Sequence, residues 1–241
     1  MPEILRAIAA AYRWDGYRNE PVEAAKLDTA ALAARAGRYQ LSSDEVLTLT
    51  PKGDRMEARV TLQKSFELIP VASDAFLRAD AEVRYAFGKD AAGRDEIVIT
   101  PEQGEAKTGK RVADTVRVPA EDLEAGKYAA AAAGYQKLRD ANPSDPSVAE
   151  GRLNSLGYAV LTRNEYKGAI AILLLNTQLY PDFANTYDSL AEAHMKAGDR
   201  KQAIALYRKA LETLPRDKSP AEVKDGVRAS ATAKLKELEE K

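Results

Sequence analysis

Two patterns of hydrophobic and polar positions divide the chain. Residues 36–112 hold short runs in which apolar and polar side chains partly alternate, separated by turn formers. Residues 119–240 are rich in Ala, Leu and Lys at helical spacing. A period of two puts successive side chains on opposite faces of a strand. The runs at 38–41, 45–50, 55–61, 65–69, 75–78, 82–87, 96–100 and 105–112 therefore predict seven or eight strands. Lys52-Gly53-Asp54 and Lys89-Asp90-Ala91-Ala92-Gly93 predict hairpin turns, with Gly supplying the positive φ that a tight reversal needs. Short antiparallel strands in this number predict a small barrel, lipocalin-like, or a sandwich. Ahead of them, residues 2–12 and 24–36 read as short helices flanking a polar stretch at 15–21.

The second half repeats itself. A shift of 34 residues superposes Leu156 on Leu190, Ala159 on Ala193, Lys167-Gly168-Ala169-Ile170-Ala171 on Lys201-Gln202-Ala203-Ile204-Ala205, and Pro181 on Pro215. In each unit one helix ends at Asn164 or Gly198, residues that tolerate the left-handed cap conformation, and a second runs to the Pro that stops it. An earlier partial unit shows Gly126, Ala131, Tyr135, Leu138 and Pro143, with Pro119 weakening its first helix. Ser219-Pro220-Ala221-Glu222 reads as a capping box that opens a final polar helix, 221–238, of the kind that seals a repeat array.

The small and large positions of these units resemble those of the tetratricopeptide repeat family. They are Leu153, Leu156, Gly157, Ala169, Leu173 and Pro181 in one unit, and Tyr187, Leu190, Ala191, Ala203, Tyr207, Ala210 and Pro215 in the next. The expected architecture is α+β in two domains: an N-terminal helical segment at 1–35, an antiparallel β domain at 36–118, repeats at 119–218 and a capping helix at 219–241. The resemblance also implies a peptide-binding groove on the concave face made by the first helix of each unit. By register that face offers Asn154, Ser155, Tyr158 and Thr162, then Asn185, Asp188, Ser189, Glu192 and Lys196. Asn154 and Tyr158 replace the Lys and Asn with which some members of the family clamp a terminal carboxylate.

Composition removes much chemistry. With 36 Lys+Arg against 37 Asp+Glu, and 18 of each sign in residues 119–241, the chain lacks the basic surplus of a nucleic-acid binder. No Cys is present, which excludes disulfides, thiolate metal sites and a Cys nucleophile. The single His, His194, excludes a site needing two imidazoles and falls at a packing position of its helix. The pairs Glu121/Asp122 and Glu239/Glu240 read as solvated helix termini. No apolar run is long enough to span a membrane, and neither a phosphate-cradling Gly loop nor a calcium loop occurs. No cofactor and no metal are expected. Within Ile172-Leu173-Leu174-Leu175, helical periodicity predicts that one or two side chains face outward, onto the β domain, the insertion loop near 144–147 or a partner molecule.

The strand region carries a second resemblance. Gly37-Arg38-Tyr39-Gln40-Leu41, Gly53-Asp54-Arg55-Met56, Phe66-Glu67-Leu68-Ile69-Pro70 and Phe87-Gly88-Lys89-Asp90-Ala91-Ala92-Gly93 are similar to the small C-terminal β domain that follows the catalytic domain in many bacterial serine hydrolases of the β-lactamase/penicillin-binding-protein family. A tetratricopeptide tail often comes next in those proteins. The stretch from Glu3 to Trp14 is similar to the helix that ends their catalytic domain. That family's nucleophile lies in Ser-x-x-Lys, one helical turn apart so that Lys can assist deprotonation. No Ser here has Lys three residues later. Lys107-Thr108-Gly109 and Tyr17-Arg18-Asn19 mimic two further signatures and have no nucleophile to serve. The resemblance thus implies a non-catalytic accessory module with a protein or peptide partner, which could be a serine hydrolase catalytic domain. A freestanding peptide-binding scaffold, a small-molecule carrier built on the β domain, and residual hydrolase activity are the alternatives. The compartment is cytoplasmic if the chain stands alone, and periplasmic or secreted if it belongs to an exported hydrolase.

Overall fold

The computed structural model describes residues 24–240. The predicted helix at 2–12, the segment Glu3–Trp14 and Tyr17-Arg18-Asn19 lie outside the described residues. A short helix, α1 (Thr29–Arg35), is followed by eight strands: β1 (Gly37–Gln40), β2 (Val46–Lys52), β3 (Arg55–Val60), β4 (Phe66–Ala72), β5 (Ala75–Arg78), β6 (Val83–Lys89), β7 (Asp95–Pro101) and β8 (Lys107–Val112). The helical half comprises α2 (Pro119–Glu124), α3 (Tyr128–Ala141), a 3-10 turn (Pro146–Val148), α4 (Glu150–Leu161), α5 (Tyr166–Leu179), α6 (Ala184–Lys196), α7 (Arg200–Thr213) and α8 (Ala221–Glu239). The fold is α+β, an antiparallel barrel and a helical array.

The strands pair in sequence order and close into a barrel, which decides between the barrel and the sandwich. Closure removes the unpaired edges that an open sheet would expose. Alternation fills the interior: Met56 and Ala58 on β3 face Leu68 and Phe66 on β4, and Phe76 on β5 faces Tyr85 on β6, all of them buried. The Phe76 and Phe87 rings meet edge to face at 5.3 Å. Gly53 and Gly93, at φ 66° and 76°, make the two predicted hairpin turns. The carboxylate of Asp90 braces the second by accepting from the Ala92 and Arg94 N–H groups at 2.9 Å each.

By packing, the chain forms two compact units. Among the described residues, one consists of those up to Tyr39 with Thr48–Arg59 and Ser65–Arg111; the other consists of Gln40–Leu47, Val60–Lys64 and those from Val112 onward. The second unit is built from paired helices. α4 with α5, and α6 with α7, are two tetratricopeptide-type units, and Asn164 (φ 61°) and Gly198 (φ 83°) take the left-handed conformation at the end of each first helix. A Cβ placed on Gly157 of α4 would lie 2.5 Å from Leu173 Cγ and Cδ2 on α5, and one on Gly168 would lie 2.4 Å from the Tyr128 ring of α3. These helices approach as closely as they do because the positions are Gly. The core runs without interruption through Leu123, Tyr135, Leu153, Leu156, Ile172, Leu173 and Leu190.

One buried carboxylate organises the start of this unit. Asp44 accepts from the Ala120 N–H and from the Tyr135 hydroxyl, both at 2.9 Å. Burial, the largest influence, pushes its carboxyl up to about 6, against the pull of those two donors. The same burial, reinforced by Asp44, raises the Tyr135 phenol far above its ordinary value.

Three sequence expectations are corrected. Pro119 does not weaken a helix; it stands in the first turn of α2, where its missing N–H has no helical partner to lose. Glu121 is no solvated terminus: it is buried at 8% exposure, and its carboxylate accepts from the Val118 N–H at 3.0 Å. The capping box at Ser219 does not form. Pro220 is the residue that caps α8, and the Ser219 N–H donates instead to Asp217 Oδ1 at 2.7 Å. Of the four residues Ile172 to Leu175, Leu174 alone is exposed, at 44%.

The glycines of α4 separate two opposing effects. Gly157→Ala drives a methyl group into the fully buried Leu173 and should destabilise the protein by about 1–3 kcal/mol. Gly151→Ala on the same helix meets nothing within 4 Å and should stabilise it by up to about 1 kcal/mol through helix propensity alone. Urea unfolding of both variants, followed by circular dichroism, measures the two signs; equal effects would refute the close-approach account.

Candidate functional site

The first helices α4 and α6 carry the groove residues expected from the repeat register. The 34-residue shift makes Asn154 equivalent to Asp188, Tyr158 to Glu192, and Thr162 to Lys196. The equivalent pair is joined directly: Tyr158 Oη donates to Glu192 Oε2 at 2.7 Å across a separation of one repeat. The other Glu192 oxygen takes Lys196 Nζ at 3.1 Å, one turn further along α6. Towards the other end of the helices, Asn185 Nδ2 donates to Glu150 Oε1 at 3.0 Å. Tyr158, Glu192 and Lys196 therefore form one linked polar set, and Asn185 with Glu150 a separate polar pair on the same two helices.

The remaining groove residues are placed differently. Thr162 is exposed and donates back to the Ala159 carbonyl at 3.0 Å. Asn154 is half-buried, with its side-chain oxygen buried and unbonded. Ser189 is almost wholly buried, at 1% exposure, and Asp188 is buried at 8%. Asp188 Oδ2 accepts from Ser230 Oγ of α8 at 3.2 Å, while Oδ1 is buried without a hydrogen-bond donor. Helix α8 thus covers the α6 face at Asp188. Ser230 was not apparent as a site residue, although Val227, Ser230 and Ala231 share the three- and four-residue spacing of a helix face that packs inward.

Electrostatics at this cluster follow from burial. The Asp188 carboxyl is pushed up to about 6, first by desolvation and further by the neighbouring charge of Glu192; the Ser230 hydrogen bond pulls the other way. Burial likewise raises the Tyr158 phenol, opposed by its hydrogen bond with Ser189 and reinforced by Glu192. Tyr207 of α7, buried beside Asp188 and Glu192, is raised for the same reasons.

Elsewhere, Lys107-Thr108-Gly109 is part of barrel strand β8, where Gly109 pairs with Ile97. The Nδ1 of His194 lies 3.5 Å from Oδ2 of Asp199, the residue that caps α7. Glu239 pairs with Arg208 at 2.7 Å. In the first unit an open cavity of 260 Å³ is lined by Arg35, Tyr39, Asp74, Phe87, Lys89 and Glu96 among others. Among the described residues, no group of three or more His, Asp or Glu is arranged to hold a metal ion, and no helix is long and apolar enough to cross a membrane.

No protein-family model matches the sequence, and no curated protein matches it. Solved structures similar to part of the chain include PcrH in complex with the chaperone-binding region of PopD, at 20% identity over 50% of this chain and 84% of that one, with a TM-score of 0.35. The first tetratricopeptide domain of Spaghetti (RPAP3) bound to an HSP90 peptide is 20% identical over 51% of this chain and 85% of that one, with a TM-score of 0.31. The type III secretion translocator chaperone SycD of Yersinia enterocolitica is 17% identical over 50% of this chain and 78% of that one, with a TM-score of 0.34.

Asp188 has a measurable signature. Its folded carboxyl titrates near 6, above the ordinary 3.8, so its contribution to stability is complete below that ordinary value and is lost as the pH rises through 6. Asp188→Asn cannot titrate and keeps an oxygen for Ser230. Relative to the parent, the variant should gain up to about 3 kcal/mol between about pH 4 and pH 7.5. Urea denaturation across that range tests this; a difference that does not change with pH would contradict the burial account.

Proposed function

We propose that the helical unit is a non-catalytic protein-interaction module that holds an extended peptide along the first-helix faces of α4 and α6. The observation that carries this reading is the Tyr158–Glu192 hydrogen bond. It joins equivalent positions of consecutive repeats, so that polar groups cross from one unit to the next at Tyr158–Glu192–Lys196 and again at Glu150–Asn185. Extended peptides are recognised by such strips because their main-chain amides need donors and acceptors at repeated spacing, while nearby aromatic rings cover apolar side chains. Asp188 and Ser189 support the strip from beneath. Asn154, Tyr158, Thr162, Asn185, Glu192 and Lys196 supply its accessible or partly accessible groups.

A more specific reading concerns the partner. The resemblance to the C-terminal region of β-lactamase-family serine hydrolases implies a small β domain followed by a tetratricopeptide tail, and the chain has a β-barrel followed by paired helices. We propose on that basis that the module serves a serine hydrolase catalytic domain, in the same polypeptide or as a separate chain. A Ser-x-x-Lys domain encoded beside this sequence, or recovered with it by an active-site serine probe, is the expected finding.

The groove reading predicts the behaviour of Tyr158→Ala. Tyr158 is half-buried and its hydroxyl is on the strip, so truncation should weaken capture of a bound partner by about 1–2 kcal/mol, roughly five- to thirtyfold. Pull-downs with the parent, Tyr158→Ala and Asn185→Ala, scored by quantitative mass spectrometry, provide the measurement. Partners retained equally by all three would count against the groove.

A further inference from the structure

The geometry points to a cation-recognition site at Asp188, where the groove takes a Lys or Arg side chain of its bound peptide. This inference rests on the groove reading above and specifies the chemistry of the ligand. Its starting point is a carboxylate that is expensive to leave as it is. Asp188 is more than nine-tenths buried, receives one hydrogen bond, from Ser230, and keeps a buried Oδ1 with no donor. Among the described residues no Lys, Arg or His lies within ion-pair distance of it. The nearest cation on the strip, Lys196, is engaged with Glu192.

Buried carboxylates in folded proteins are paired with a cation or held by several donors, because desolvating an ion costs several kcal/mol. Asp188 has neither. Glu192 adds a second negative charge one turn away, which favours an incoming cation and penalises an incoming carboxylate. The residues around the pair are hydrogen-bonding and aromatic: Tyr158 from α4, Ser189 from α6 and Ser230 from α8. A guanidinium or ammonium group entering from the Tyr158–Glu192 side would give the Asp188 carboxylate its missing donor and counter-charge together. The charge preference is therefore opposite to that of a Lys/Asn clamp for peptide carboxylates, in keeping with the replacement of those two residues by Asn154 and Tyr158.

The test is selection from a randomised nonapeptide display library by the full chain, by Asp188→Asn and by Tyr158→Ala. Peptides selected by the parent are expected to carry Lys or Arg at one fixed position. Changing that residue to Gln should weaken binding to the parent by about tenfold or more and leave binding to Asp188→Asn nearly unchanged. Selection of acidic residues or free carboxyl termini would overturn the proposal, as would equal losses in the parent and the Asn variant. Peptides that require Tyr158 but show no basic preference would remove the cation site and leave the groove standing. Recovery of no peptide, or of peptides indifferent to Tyr158→Ala, would remove both. Urea denaturation of Asp188→Asn beside the parent separates loss of the preference from unfolding.

Discussion

The helical unit depends on how closely its paired helices can approach. At Gly157 against Leu173, and at Gly168 against Tyr128, there is no room for a single added carbon. The second repeat keeps a small side chain at the position of Gly157 with Ala191, and at that of Ala169 with Ala203, both fully buried, whereas Gly168 is replaced by the exposed Gln202. Close pairing sets the spacing at which one hairpin stacks on the next, and that spacing in turn brings Tyr158 within hydrogen-bonding reach of Glu192. The polar strip is thus a product of packing several residues away from it. Dispersion contacts between a glycine and the side chain packed against it are individually weak, yet they set how closely these helices pair.

Three aspartates of this unit show how burial and hydrogen-bond donors compete over a carboxylate. Asp217 accepts from the Ala184 and Ser219 N–H groups at 2.8 and 2.7 Å; burial is its largest single influence, but the donors together outweigh it and hold its carboxyl below the ordinary value. Asp44, with two donors, and Asp188, with one donor and a glutamate neighbour, are both pushed up to about 6. The first two are structural caps whose partners belong to the backbone or to a core tyrosine. Asp188 differs because its one partner is the hydroxyl of Ser230 and its second oxygen is unused.

Much of the fold was legible in the sequence because the deciding signals are local. Alternation located all eight strands within a few residues of their ends, and Gly53, Gly93, Asn164 and Gly198 marked reversals that require or tolerate positive φ. The features that escaped are set by residues distant in the chain. Glu121 reads as a surface charge until α2 is placed in the unit, and Ser219 reads as a cap until Asp217 takes its N–H. Repeat register makes Tyr158 and Glu192 equivalent positions, and a hydrogen bond joins them. It could not show that α8 would come to rest on Asp188, since the final helix lies outside the repeating pattern.

The Asp44 contact bears on where the helical unit begins. By composition the boundary falls near residue 118, after the last strand, yet Asp44 lies 76 residues before the Ala120 N–H it accepts from and 91 before Tyr135. A fragment cut at the compositional boundary would leave that N–H and a core phenol without their acceptor, in surroundings that exclude water. The helical unit is discontinuous in sequence. Its first turn of helix is completed by a loop made much earlier in the chain, so in vectorial synthesis the acceptor is already in place when its donors emerge.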